Sequence, residues 1–484
     1  MTSVPAETSL GWSPARSARA AAPFVTILLG VAVAASAEIG GGLLPAMVVG
    51  AMVLVAAAAA GGAGHRMGWL SPSRVFLSGA ALYLGPSLAT VMVVGALSGG
   101  RDLDFSTLRL GGQLSLVAFG WAAVGVGLAG LLAGMIAPSR PSAGPVTVPS
   151  WFRNPLLLAA GLFGSAGALA VATFVFAIAG VGTLLAARYG ERYQVMAGYG
   201  ALILGAQTVS LATFSGFASG TASGRRGVAW GFAAGGAAFH LGWTALVGAR
   251  TGFVQLLLGL FVIWQALGGR IAAWKLGLTG VVVLGAGLVV GAVRAGVKSP
   301  SDLTPGQIAL LANPANSEFG ATLPTVGDIA TAVPIQEPYR FGSTYLAAFG
   351  VVVPRALWPS RPQGAAEWYV QRFYPDVADI GGAFAFSPVA EAYLNFGKAG
   401  VVVVFLGFGL LVGLIDRFFR SPRAPAYAVA YGLSVYSLLI FSRLDTATLV
   451  KSHFILPYGQ LLVLFAGARI VHLIGVAARR KEAA

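Results

Sequence analysis

Apolar runs of bilayer-crossing length recur along almost the whole chain, and they constrain the fold more than any other feature. A bilayer core needs about 20 apolar residues per helix, and only helices or closed barrels satisfy every backbone group inside lipid. A barrel would show short alternating segments, whereas these runs are continuous. The sequence therefore predicts an all-α polytopic integral membrane protein of about 12 transmembrane helices. Spans are expected near residues 21–37, 43–62, 75–98, 114–137, 155–180, 197–219, 228–247, 253–268, 276–295, 399–415, 425–442 and 453–474. A mean hydropathy of +0.80, with only 10% charged residues, excludes a soluble domain.

The formal charge of +15 could suggest a nucleic-acid partner, but its distribution argues against one. Basic residues near span ends set membrane orientation. With the N-terminus inside, the cytoplasmic segments hold 17 basic and 3 acidic residues, leaving 14 and 13 for the other face. The basicity is thus a topology signal, helped by anionic lipid at the inner surface. Both termini are expected in the cytoplasm of a multi-pass protein of the cytoplasmic membrane. Ala35-Ser36-Ala37 after the first apolar run resembles a signal-peptide cleavage site, but the second run follows immediately and favours an uncleaved first span. Zero cysteines exclude disulfides, thiolate catalysis and Cys-ligated zinc.

Three regions follow: residues 1–295 with nine spans and short loops, residues 296–398 as one large extracytoplasmic loop, and residues 399–484 with three spans and a basic tail. A loop of that length inside a compact bundle is a functional or separately folded cap. Its charges are mixed and interleaved with aromatics. Ser343 to Val353 is apolar but too short to span, so it reads as an amphipathic or re-entrant surface helix stopped by Pro354. A second helix is expected over Ala365–Phe373, and Pro388–Asn395 leads into the tenth span. Residues 138–149 form a Pro- and Ser-rich linker. No internal repeat is visible, which weakens a transporter reading.

Arginines on the outer face run against the positive-inside tendency and call for another role. Arg188 and Arg192 follow the fifth span, Arg250 sits in the tight turn GARTGF, Arg355 follows Pro354, and Arg443 opens RLDTATLVK. A guanidinium grips phosphate in a bidentate way, so such a set around one cavity suits a diphosphate. Each could instead pair locally, Arg192 with Glu191 or Arg443 with Asp445. Arg250 stands out because its turn contains no acid. Glu391 and Glu318 could accept a proton from a sugar hydroxyl; Glu391 could equally cap or hydrogen-bond within the start of the tenth span. Asp445 reads as the orienting partner of Arg443, and His453 as a satisfied interfacial histidine. Asp102 and Asp104 could share a divalent ion but lack a third ligand, so no metal site is assigned.

The segments Gly342-Ser343-Thr344-Tyr345, Pro354-Arg355-Ala356-Leu357-Trp358-Pro359 with Arg361-Pro362, and Glu391-Ala392-Tyr393-Leu394-Asn395-Phe396-Gly397 resemble the oligosaccharide repeat unit polymerases, relatives of the O-antigen polymerases. The resemblance implies a GT-C-like glycosyltransferase bundle that joins glycan repeats carried on polyprenyl diphosphate. It implies catalytic roles for Arg250, Arg443, Glu391 and Glu318. Substrate contacts would come from Arg188, Arg192, Arg340, Tyr345, Arg355, Trp358, Arg361, Tyr393 and Asp445. Where relatives commonly carry Lys, this chain has Arg361, which keeps the charge but removes an amine as proton donor. Neither cofactor nor nucleotide sugar is implied, and a flippase and a chain-length regulator are the expected partners. A ligase that shares the topology, and a lipid-linked oligosaccharide transporter, are the alternatives.

Overall fold

The computed structural model describes residues 70–76, 78–79, 83, 148–187, 189–196, 198–248, 251–269, 271–272, 274–275, 278–280, 322–350, 353, 357–379, 381–420 and 424–482. Among them every regular element is helical. The spans expected at 21–37, 43–62, 114–137 and 276–295 lie wholly or mostly outside the described residues, as does most of 75–98.

Seven expected spans are helices. They are α1 (Asn154–Ala172, extended by a π-helical stretch Thr173–Ala179), α2 (Gly205–Ala222), α3 (Arg226–Val247) and α4 (Thr251–Ala266), then, after the cap, three more. The cap supplies α5 (Leu323–Ala332), α6 (Ser343–Gly350) and α7 (Ala365–Phe373). The last three are α8 (Pro388–Arg420), α9 (Pro425–Ile440) and α10 (Leu456–Glu482). Among the described residues, five helical segments are long and apolar enough to cross a membrane: Asn154–Ala179, Gly200–Ala222, Pro388–Phe419, Pro425–Arg443 and Thr446–Glu482. The chain is a multi-pass membrane protein.

Helices α1, α2 and α3 pack in sequence, α4 lies against α9, and α10 returns to α1. Small residues allow these contacts, since lipid tails supply no hydrophobic drive for helices to meet. A Cβ on Gly259 of α4 would lie 2.8 Å from the carbonyl oxygen of Gly432 in α9, and one on Gly432 3.0 Å from that of Gly259. Gly259→Val is therefore expected to force the pair apart and lower stability by about 1–3 kcal/mol, the usual overpacking range. Thermal unfolding in detergent measures it.

Hydrogen bonds between helices add a second layer. Gln460 Nε2 in α10 donates to Thr208 Oγ1 in α2 at 3.2 Å, and Tyr458 pairs with Ser434 of α9. Asp416, near the far end of α8, is buried and accepts the Ser73 amide at 3.2 Å.

The antiparallel order puts the C-terminal ends of α1, α3 and α9 and the N-terminal ends of α2, α4, α8 and α10 at one end of the bundle. The cap sits there. Helix α6 packs on Thr446–Thr448 and on the π-helical stretch Leu449–Ile455 that leads into α10, and α5 packs on α8. The core of this half joins Val326, Ile329 and Ala330 of α5, Tyr369 and Val370 of α7, and Phe386, Val389, Tyr393 and Leu394 at the start of α8.

Candidate active site

Helix α8 is broken. Gly397 has φ 67° and ψ −158°, a conformation essentially reserved for glycine, and it separates a first half-helix from the membrane-crossing remainder. The break frees carbonyls at the end of the first half. The backbone of the cap takes them up: Arg340 N–H donates to Leu394 O at 3.0 Å and Phe341 N–H to Asn395 O at 3.1 Å. Phe341 itself adopts φ 45°, uncommon for a bulky residue, and is held there by these bonds.

Side chains complete the join. Glu391 is fully buried. Its Oε1 accepts Thr344 Oγ1–H at 2.9 Å, and its Oε2 accepts both the Thr446 amide at 2.8 Å and Thr446 Oγ1–H at 2.9 Å. Asn395, one turn along on the same face, donates to Thr344 Oγ1 at 2.7 Å and accepts the Gly342 amide at 2.8 Å. One carboxylate thus ties the cap helix α6, the half-helix of α8 and the turn Thr446–Thr448 ahead of α10 into a buried network.

Asp445 makes a parallel join. It caps Thr446–Thr448 by accepting the Thr448 amide at 3.1 Å, and its other oxygen accepts the Ala366 amide in the first turn of α7 at 3.1 Å. These bonds bind the carboxylate to backbone amides of two helices. Gly364 permits the approach: a Cβ there would lie 2.9 Å from Asp445 Oδ2.

A third carboxylate, Asp328 of α5, accepts Tyr369 OH at 2.7 Å and Tyr374 OH at 2.9 Å on one oxygen. Burial and the Asp328 charge push the Tyr369 phenol above its ordinary value of 10.0. A phenol raised in the folded state contributes stability below the unfolded value and loses it as pH rises past about 10. Alkaline unfolding of the wild type is expected to begin there, and Tyr369→Phe should blunt it. Either Tyr→Phe change alone should cost about 1 kcal/mol. The double change should exceed the sum of the two, because only then is Asp328 left without these donors.

The expected substrate contacts divide by position. Arg340 lies over the Trp368 ring at 4.7 Å and pairs with Glu337 at 3.6 Å, while Arg372 Nε meets the same carboxylate at 2.6 Å. Tyr345 stacks on Phe396, centroids 6.2 Å apart, and burial together with the Glu391 charge pushes its phenol upward. Trp358 is partly exposed and its carbonyl accepts the amide of the half-buried Arg361 at 3.2 Å. Tyr393 is buried in the core, so its ring does not line an open surface. Arg443 is half-buried in the 3-10 turn closing α9. Arg188, Arg250, Glu318 and Arg355 lie outside the described residues. Arg192 belongs to a short helix, Tyr189–Met196.

Sequence reasoning passed over Thr344, Asn395 and Thr446 as functional residues. The i, i+4 spacing of Glu391 and Asn395 places both on one helical face and is the signal that could have flagged the second. Lys451 was also passed over; it sits with His453 in the π-helical stretch, a rare conformation common at functional sites. His453 Nδ1 lies 2.9 Å from Ser437 Oγ, a satisfied histidine as expected. Among the described residues no group of three His, Asp or Glu side chains could hold a metal ion.

Fold and site define a class: a multi-pass helical membrane protein with a polar cap bonded into a broken helix at one end of the bundle. Residues 319–472 match the family model described as O-antigen polysaccharide polymerase Wzy. That match spans the cap from α5 onward and most of the last three helices, and over this region the chain is similar to that family. Comparisons with curated proteins and with solved structures found no match.

Proposed function

We propose that this protein polymerises oligosaccharide repeat units carried on polyprenyl diphosphate, at the outer face of the cytoplasmic membrane, in surface polysaccharide biosynthesis. The observation that carries the reading is the coincidence of the family match with the cap and its buried joins. The bundle is read as twelve-span and GT-C-like, with both termini in the cytoplasm. A flippase would deliver the lipid-linked repeats, and a chain-length regulator would set when growth stops.

In the reaction, an acceptor sugar hydroxyl attacks the anomeric carbon of the donor glycan. The new C–O bond forms as the bond to the diphosphate breaks, the hydroxyl proton passes to a base, and polyprenyl diphosphate leaves. Arg250 and Arg443, helped by Arg188 and Arg192, neutralise the charge that grows on the leaving diphosphate. Glu391 gives both oxygens to Thr344 and Thr446, which suits a positioning residue, so Glu318 is the candidate proton acceptor. Trp358, Arg340, Arg355, Arg361 and Tyr345 belong to the glycan-facing side, with Asp445 and Tyr393 supporting it.

Arg250→Ala and Arg443→Ala are each expected to cut chain growth about a hundredfold, the scale for losing one group that stabilises transition-state charge. Short lipid-linked repeats should accumulate. Normal-length polymer from both variants at wild-type expression contradicts the assignment. Transfer of single repeats only would instead identify a ligase.

A further inference from the structure

A cap helix bathed in water buries its large apolar side chains and exposes small or polar ones. Helix α6 does the reverse. Thr344, Ala347 and Ala348 face the protein, while Leu346 and Phe349 are 73% and 72% exposed. At 3.6 residues per turn these two sets lie on opposite sides of the helix. No residue of α6 is charged.

The exposed apolar surface extends beyond α6. Phe341 is exposed just ahead of it, and the partly exposed Phe396 lies against the neighbouring Gly342, where an added Cβ would meet its ring at 3.3 Å. Phe396 stands immediately before the break at Gly397, after which the same helix runs on as a membrane-length apolar segment. That segment exposes Val403, Leu410 and Leu414 along a single stripe. A contiguous apolar surface of this kind marks an interaction site. Its continuity with the outward stripe of α8 identifies the occupant.

We infer that the Phe341, Leu346 and Phe349 face of the cap, with Phe396, is sunk into the hydrocarbon edge of one leaflet, covered by the acyl chains of membrane lipid. Helix α6 is then an anchor as well as a cap. Its inner side carries Thr344, so its depth sets the depth of the network around Glu391. The inference concerns where the cap sits and holds whatever reaction the site performs.

The natural chain has no cysteine, so Leu346→Cys and Phe349→Cys each supply one thiol for a nitroxide label in the full-length protein in phospholipid vesicles. Val403→Cys marks lipid, and Asp376→Cys, on the exposed side of the short helix Pro375–Asp379, marks water. Labels at 346 and 349 should match 403: strongly relaxed by oxygen and shielded from a water-soluble nickel chelate. Accessibility to nickel like that at 376 overturns the inference, since the face is then wet. Shielding from both reagents also overturns it, because protein, such as a second copy of the chain, then covers the face. The two positions are exposed and are labelled separately, so neither result depends on a single variant's packing.

Discussion

Glu391→Ala is expected to lose about 3 kcal/mol of stability and to abolish polymer formation. The change removes the acceptor of three donors at a fully buried position. The two threonine hydroxyls can rotate toward other acceptors, but the Thr446 amide cannot, and an orphaned buried donor costs about 1–3 kcal/mol. Glu391→Gln separates positioning from proton transfer. Its amide oxygen can still accept the Thr446 amide, while its NH2 can donate to Thr344 Oγ1, so it should cost only about 1 kcal/mol. If Glu391 positions the cap, the Gln variant keeps substantial activity and its pH–rate profile follows wild type. If Glu391 were the proton acceptor, the Gln variant would be folded and inactive.

Gly397→Ala should be the second severe change. The glycine conformation at the break is one that costs an L-residue about 1–3 kcal/mol. An added Cβ would also lie 3.0 Å from the Tyr339 hydroxyl. The chain can relieve this by straightening α8, but a continuous helix reclaims the carbonyls of Leu394 and Asn395 that now hold Arg340 and Phe341. Either route loosens the cap. Limited proteolysis should reveal faster cleavage between residues 335 and 365 in this variant, and chain growth should fall with it. Unchanged cleavage and normal polymer would show that the break is not what fastens the cap.

Hydropathy made the described helices legible, some of them nearly to the residue and others short of their ends, as at Glu482 of α10. The span expected at 155–180 is Asn154–Ala179, and the surface helix over Ala365–Phe373 has those bounds. The expected surface helix from Ser343 is helical over Ser343–Gly350 among the described residues. Helix α5 was not foreseen, because a ten-residue segment gains its helicity from tertiary contacts: Val326, Ile329 and Ala330 in the core and Asp328 under two tyrosines. The site was legible as a region but not as a network. Thr344, Glu391 and Thr446 are separated by about fifty residues at each step, and no local pattern announces that one carboxylate joins them. Asp445 shows the same limit: folding brings it the Ala366 amide from 79 positions away, a partner that no local pattern announces. Tyr393 lies in a motif rich in aromatics, and only packing reveals that its ring belongs to the core.

Polymerisation is measured with purified protein in vesicles supplied with one polyprenyl-diphosphate-linked repeat unit and nothing else. A ladder of lipid-linked glycans is expected, with one polyprenyl diphosphate released for each linkage formed. Substrate that crosses the membrane or stays unchanged, with no new linkage and no released polyprenyl diphosphate, would contradict it.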